Sequence, residues 1–410
     1  MTDVDVAVIG AGIAGLVTAY TLREAGADVQ VFEAADHVGG RMTTLRRDGF
    51  LIDSGAEQIP TRGYPETWRL IDELGVTGVP RIGRPVAMWR NGKARNGVAH
   101  PMGLLTGAGL APRARLDLMR AVRRRPVSGT VAEFAAPWHR DVLDYLCQPV
   151  VSGFFGWDPA RSAAAPFVEL LTSFGSSSGW RTYRDGMDTL CRALESTVDV
   201  SLSCPVDEVT ANGRVRIRAG RAEVTARSAV LAVPAPVACS LYADAPEFVR
   251  ASTFRPMLKV HLMLDHRPAS RAYLVAVPSV ENPAVSVILF DHLKHPGRAP
   301  AGHGLVTLIA NPAVVPPLLD APDEEVVHRL LGAAAPFVPS LATGVRGHVV
   351  HRFRHGLPEA TPKALALRAG FRPDLVDYAG DWVDPSPCSE SAVRSGRRAA
   401  ARVLRRKELG

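Results

Sequence analysis

The sequence predicts an α/β protein in which both chain ends build one domain and an α+β domain is interleaved between them. Three observations lead there. A strand, tight turn and helix pattern opens the chain, from Val4 through Gly10 to a helix over Ile13 to Ala25. A second such unit closes it, with a short strand over Val376 to Gly380 and a helix over Ser389 to Leu404. Between them strand patterns recur, clearest where Leu258, Val260, Leu262 and Leu264 alternate with Lys259, His261 and Met263. At 410 residues the chain exceeds what one hydrophobic core serves. We therefore assign residues 1–60, 181–235 and 370–410 to the first domain, and 61–180 and 236–369 to the second.

The first element explains the rest. Residues 4 to 15 read Val-Asp-Val-Ala-Val-Ile-Gly-Ala-Gly-Ile-Ala-Gly, and a second apolar run, Val29 to Phe32, ends at Glu33. Gly10 permits the tight turn that leaves a buried strand, Gly12 lets backbone N–H groups approach a pyrophosphate, and Gly15 lets the helix pack on the strand. The helix N-terminus then faces the phosphates with its positive dipole end. Glu33 is placed to accept hydrogen bonds from a ribose 2′-hydroxyl, which argues for FAD or NAD and against NADP. The first domain is thus Rossmann-like.

The following elements break the plain β-α-β repeat. Two strands are read between Thr44 and Asp53, and residues 62–125 read as mainly helical, at Pro65 to Leu74 and Pro112 to Arg125. Gln148 to Trp180 reads as loop-rich. Strands return at Val198 to Leu202, Glu208 to Val209, Val215 to Arg218 and Ala222 to Val233, with Asn212-Gly213 as a hairpin signal. Further strands are read at Ala284 to Phe290 and Gly304 to Ala310, then a helix at Glu324 to Ala335.

With 47% hydrophobic and 22% charged residues the composition is globular. Outside the Gly-rich start no apolar run reaches the ~18 residues of a membrane span. Asp3 and Asp5 precede the first apolar run without a basic segment, so no targeting peptide is expected. Cys147, Cys191, Cys204, Cys239 and Cys388 lack metal-like spacing and read as reduced thiols of a cytoplasmic protein, with no metal site. The net charge of +7 concentrates at Arg113, Arg115, Arg120, Arg123, Arg124 and Arg125 and at Arg402, Arg405, Arg406 and Lys407. Neither run interleaves aromatics as nucleic-acid sites do. Leu116, Leu118, Met119 and Val122 give the first run the stripe of a basic amphipathic helix, so peripheral membrane contact is an alternative to a solvated face.

Three further segments resemble one family. Gly39-Gly40-Arg41, the stretch Asp53-Ser54-Gly55-Ala56-Glu57, and Ala379-Gly380-Asp381-Trp382 with Glu390 to Gly396 are similar to the flavin-containing amine oxidase superfamily. Gln148 to Gly153 with Asp158-Pro159, Tyr183 to Leu190, and Arg352-Phe353 with Leu357-Pro358 look more like its protoporphyrinogen oxidase and phytoene desaturase branch. The resemblance implies FAD, with pyrophosphate contacts at Gly10, Gly12, Ala14 and Gly15 and a ribose contact at Glu33. It places Gly40 and Arg41 at the phosphate or flavin edge, Gly55 and Ala56 beside the isoalloxazine, and Val206 at the adenine. Gly380 and Asp381 would meet the ribityl and phosphate region, and Ala392 would lie near the ring.

The resemblance also implies a catalytic lysine. Arg255 to Val260 is similar to the segment in which amine oxidases hold a water near flavin N5, so Lys259 takes that role if its strand face meets a cavity, with His261 beside it. The desaturase branch commonly lacks this lysine, so the pattern is mixed. Phe353 stands where the family usually has Trp, and Cys388 falls near an expected tyrosine. Phe154, Phe155, Trp157 and Trp180 would wall an apolar pocket. The expected function is an FAD-dependent oxidase or desaturase taking a hydride from a C–N or C–C bond of a hydrophobic small molecule, with oxygen as acceptor, in secondary metabolism. The alternatives are a membrane-docked porphyrinogen or isoprenoid oxidoreductase and, from another class, a non-catalytic flavin-binding partner. Oligomeric state has no signal in the sequence.

Overall fold

The structure, a computed structural model, describes residues 2–409 apart from Val98, Val122, Pro126, Val127 and Pro385. Its first sheet is centred on the strand Thr2–Ile9, which pairs in parallel with Val29–Phe32 on one side and Ala222–Leu231 on the other. Beyond these lie Asp199–Ser201, the antiparallel pair Glu208–Asn212 and Arg214–Ala219, and Val376–Tyr378, which pairs in parallel with Ala222–Leu231. Central strands covered on both faces read as continuous apolar runs, and Val6, Ala7, Val8 and Ile9 are all buried.

The helix Ile13–Glu24 is apolar nearly all round because it is buried nearly all round. It lies between the sheet and the C-terminal helix Ser389–Leu409. A Cβ on Gly396 would sit 2.5 Å from the Ala14 carbonyl oxygen, so only glycine allows the two helices to approach this closely. Thr18 Oγ1 bonds both Ala14 O at 2.8 Å and Gly396 O at 3.3 Å, tying the chain ends together.

The second sheet runs in the order Val345–Pro358, Phe254–Leu264, Gly304–Ala310, Val285–Phe290, Leu274–Ala276, Val86–Arg90 and Lys93–Asn96. The stripe Leu258, Val260, Leu262 and Leu264 packs with Val326, Leu330 and Ala334 of the helix Asp323–Ala334. Its opposite face is also covered: Met263 packs with Phe50 and Ile52 of the hairpin formed by Thr44–Arg47 and Phe50–Asp53.

Two expectations are corrected. The region 62–125 contains the strand pair Val86–Arg90 and Lys93–Asn96, closed by Asn91-Gly92 with both residues at positive φ. This is the same type of hairpin signal that Asn212-Gly213 carries. The stretch read as loop-rich holds two helices, Gln148–Phe155 and Ala164–Ser173. Phe167, Leu170, Leu171 and Phe174 recur at helical spacing and pack against the helical core. Val122, expected on the basic stripe, lies outside the described residues.

Candidate active site

The Gly-rich turn is shaped from within. Gly10 sits at φ +101, and a Cβ there would lie 2.8 Å from the Ala232 carbonyl oxygen. At Gly15 a Cβ would fall 1.9 Å from the Gly10 oxygen, so helix and turn meet only through glycine. Gly12 differs: its Cβ would meet nothing within 4 Å. It caps the helix without a side chain, and with Ile13 and Ala14 it lines the cavity at the helix N-terminus. That is the geometry an anion such as a pyrophosphate requires. The loop Gly39–Arg41 bridges back to the turn through Gly39 N to Ala11 O at 2.9 Å, with Gly40 at φ +54.

Acidic groups flank this cradle. Glu33 accepts from Ala11 N at 2.6 Å and from Ala35 N at 2.9 Å, which fixes it at the end of its strand. Arg41 forks Asp381 at 2.8 and 2.7 Å, joining the N-terminal loop to the C-terminal turn. Burial opposes the Arg41 charge, but Asp381 holds its pKa above the usual range.

A cavity of about 960 Å³ runs from the turn into the second sheet. Gly10, Gly12, Ala14, Glu33, Gly40, Arg41, Gly55, Ala56, Gly380, Asp381 and Ala392 line one part, and Lys259, Phe353 and Cys388 stand on its wall. The other part is apolar, built from Leu146, Val150, Phe154, Phe155, Leu170, Phe174, Trp180, Val287 and Leu289. Cys388 lies 3.5 Å from Ser391 Oγ, and burial raises its thiol pKa, so it is no thiolate.

Four expected site residues are not on that wall. Gly15 lies behind the turn it supports, and Val206 packs against the core beyond the sheet. Trp157 is buried, does not line this cavity, and donates from Nε1 to Pro358 O at 2.6 Å. His261 is buried beneath the sheet, with Nδ1 2.8 Å from Thr307 Oγ1, which donates to Asp291 at 2.6 Å. Burial, then His351, Lys259 and Lys294, hold the His261 pKa well below the usual histidine range.

Behind Lys259 lies a charge cluster that sequence reasoning missed. Lys259 Nζ donates to Gly55 O at 2.5 Å and pairs with Glu57 Oε1. The other Glu57 oxygen meets Lys294 Nζ at 2.5 Å, and Lys294 also reaches Asp291 at 2.9 Å and Asp53 at 3.3 Å. Arg298 completes it, 2.8 Å from Asp53. Burial opposes the Lys294 charge, but Glu57, Asp291 and Asp53 hold its pKa above the usual range. Burial likewise opposes the Asp53 carboxylate, yet Arg298 and Lys294 keep its pKa low. Glu57 stands in a quoted motif; Lys294 and Arg298 end two short helical turns, Asp291–Lys294 and Pro296–Arg298, that carry no sequence signal of their burial.

The family model for flavin-containing amine oxidoreductases matches residues 13–404. Protoporphyrinogen oxidase 2, chloroplastic/mitochondrial, of Arabidopsis thaliana is 32% identical over 191 residues, 42% of this chain and 37% of that protein. That match spans little more than a third of the relative's length. Coproporphyrinogen III oxidase of Propionibacterium freudenreichii is 27% identical over 462 aligned positions, 92% of this chain and 85% of that protein. Cyclohexylamine oxidase from Brevibacterium oxydans superposes with a TM-score of 0.77 at 18% identity, over 99% of this chain and all of that one, a likeness of fold. Matched along nearly its whole length and carrying the nucleotide cradle at its start, the chain belongs to the flavin-containing amine oxidoreductase family, whose cofactor is FAD.

Proposed function

We propose that this protein is an FAD-dependent oxidase or desaturase that oxidises a C–N or C–C bond of an uncharged, apolar small molecule to a double bond, a hydride leaving carbon for the flavin and a proton leaving to solvent. The observation that carries this reading is the apolar half of the cavity. Its wall is aliphatic and aromatic, and among the described residues each lining carboxylate and each lining Lys or Arg is already engaged. Glu33 takes backbone N–H groups, Asp381 takes Arg41, and Glu57 takes Lys259 and Lys294. Arg352 and Arg354 pair with Asp323 and Asp320. A di-ammonium substrate asks for free carboxylates and a porphyrinogen for free cations, since a desolvated charge without a partner is costly.

Bound FAD supplies the hydride acceptor, and the chain supplies binding, orientation and exclusion of water. Gly10 to Ala14 and Glu33 are proposed to hold its dinucleotide half, with Arg41 and Asp381 at the crossing of the two chain ends. Gly55, Ala56, Lys259, Phe353 and Cys388 are proposed to face the ring. Molecular oxygen is the proposed acceptor. Anaerobic mixing of the holoenzyme with neutral apolar substrates should bleach the flavin absorbance, and readmitted oxygen should restore it with peroxide release. Failure of every neutral compound, with bleaching by porphyrinogens or diamines, would overturn this reading.

A second reading is favoured by one surface. Met102, Leu105, Leu116 and Met119 are exposed on the short helices Pro101–Thr106 and Pro112–Ala121, where the arginine run begins. His100 and Leu118, from the same segment, line the cavity. Exposed apolar side chains among arginines suit an anionic lipid surface, from which an apolar substrate would enter directly. Co-sedimentation with anionic but not neutral vesicles, lost in Leu105→Glu/Met119→Glu, supports docking; no co-sedimentation at low salt removes it.

A further inference from the structure

We infer that Glu57 is a positioning residue that holds Lys259 as one half of a charge-compensated pair, so that the lysine offers the cavity a hydrogen-bond donor and no net positive charge. The inference rests on the proposed placement of the FAD ring beside Gly55 and Lys259. An ammonium has three N–H donors. On Lys259 one goes to the Gly55 carbonyl and one to Glu57, which leaves one at the cavity wall.

Glu57 is held in turn. Its second oxygen is fixed by Lys294, whose side chain is fully buried and meets two further carboxylates. The cluster comprises Lys259, Lys294 and Arg298 against Glu57, Asp53 and Asp291, three charges of each sign, with five side chains buried and that of Glu57 9% exposed. Remove Glu57 and one positive charge is left over, nearest the cavity. Remove Lys259 and one negative charge is left. Remove both and the cluster is neutral again.

Because reducing FAD adds negative charge beside this pair, the reduction potential of the bound flavin reads the local balance. The test is a dye-equilibrated reductive titration of the holoenzyme and its variants, each checked for stoichiometric FAD. Glu57→Gln should raise the potential and Lys259→Met should lower it, each shifting the oxidised-to-reduced ratio at fixed poise by roughly tenfold or more. Glu57→Gln/Lys259→Met should return to the parent value. If Glu57→Gln does not fold, the charge-balanced double variant against Lys259→Met decides. A double variant that keeps the Lys259→Met potential overturns the inference, as do single variants that both match the parent. A protein that retains no FAD contradicts the cofactor placement instead, so the two failures are distinct.

Discussion

Replacing Gly12 and Gly15 in turn by alanine separates a ligand contact from a packing contact within four residues of chain. At Gly15 the new methyl would lie 1.9 Å from the Gly10 oxygen and 3.1 Å from Ala232 Cβ, and both neighbours are held by the sheet. Helix and turn must part by more than an ångström, an overpacking that costs about 1–3 kcal/mol or more. At Gly12 the methyl meets no protein atom within 4 Å, and φ is −68, open to any residue. Alanine is a poorer helix cap than glycine but restricts the unfolded chain, and these opposing effects of about 1 kcal/mol or less nearly cancel. The methyl does, however, fill the space in front of the helix N-terminus. Loss of one charge-assisted hydrogen bond to a phosphate, about 1.5–3 kcal/mol, weakens FAD roughly 10- to 150-fold. The assay is urea unfolding of the apoproteins beside FAD titration by fluorescence quenching. Gly15→Ala should unfold earlier than the parent, whereas Gly12→Ala should unfold with it and bind FAD weakly. If Gly12→Ala binds FAD as the parent does, or loses apoprotein stability as Gly15→Ala does, the assignment of the cradle is wrong.

Three further outcomes are expected. Lys294→Met leaves Glu57 and Asp291 short of a cation in a buried site and should cost about 3–5 kcal/mol in urea unfolding, whereas a loss below about 1 kcal/mol would mean the cluster is solvated. Burial and the nearby Lys259 lower the pKa of His351 to about 4. Its folded value lies below the unfolded ~6.5, so its contribution is complete above that pH and falls by about 1.4 kcal/mol per unit as pH drops toward 4. His261 shifts in the same direction. Unfolding midpoints from pH 7.5 to 5 should show this slope, less steep in His351→Asn; an unchanged slope would contradict it. Arg41→Ala should leave the Asp381 carboxylate, only 5% exposed, without its partner and lower FAD retention on gel filtration, whereas Arg41→Lys should restore part of it. Equal retention in all three would remove Arg41 from the cofactor site.

The nucleotide half of this molecule is readable from its residues because backbone geometry dictates glycine there. Gly10 and Gly15 are places where a side chain collides with neighbouring atoms, and Glu33 follows a buried strand by necessity. The terminal turn at Gly380, at φ +147 against Trp382, is legible for the same reason. The cavity's apolar half was less legible, although Phe167, Leu170, Leu171 and Phe174 carried helical spacing within a stretch read as loop. The pairing within the charge cluster was not legible, although Asp53, Glu57 and Lys259 stand in segments the sequence singles out. Lys259 and His261 occupy the polar face of an alternating strand, where charged residues usually meet water. That face is buried because the Asp53 hairpin and the Lys294 segment, distant in sequence, bring matching charges to it. Pairing over such separations leaves no local pattern.

The measurement that tests the central claim most directly is anaerobic reduction of the bound FAD by matched substrates. The set should pair neutral apolar compounds bearing an oxidisable C–N or C–C bond with a porphyrinogen and a diamine. The account predicts that the neutral compounds bleach the flavin at lower concentration than either charged class. Tighter or faster reduction by the porphyrinogen or the diamine would contradict it.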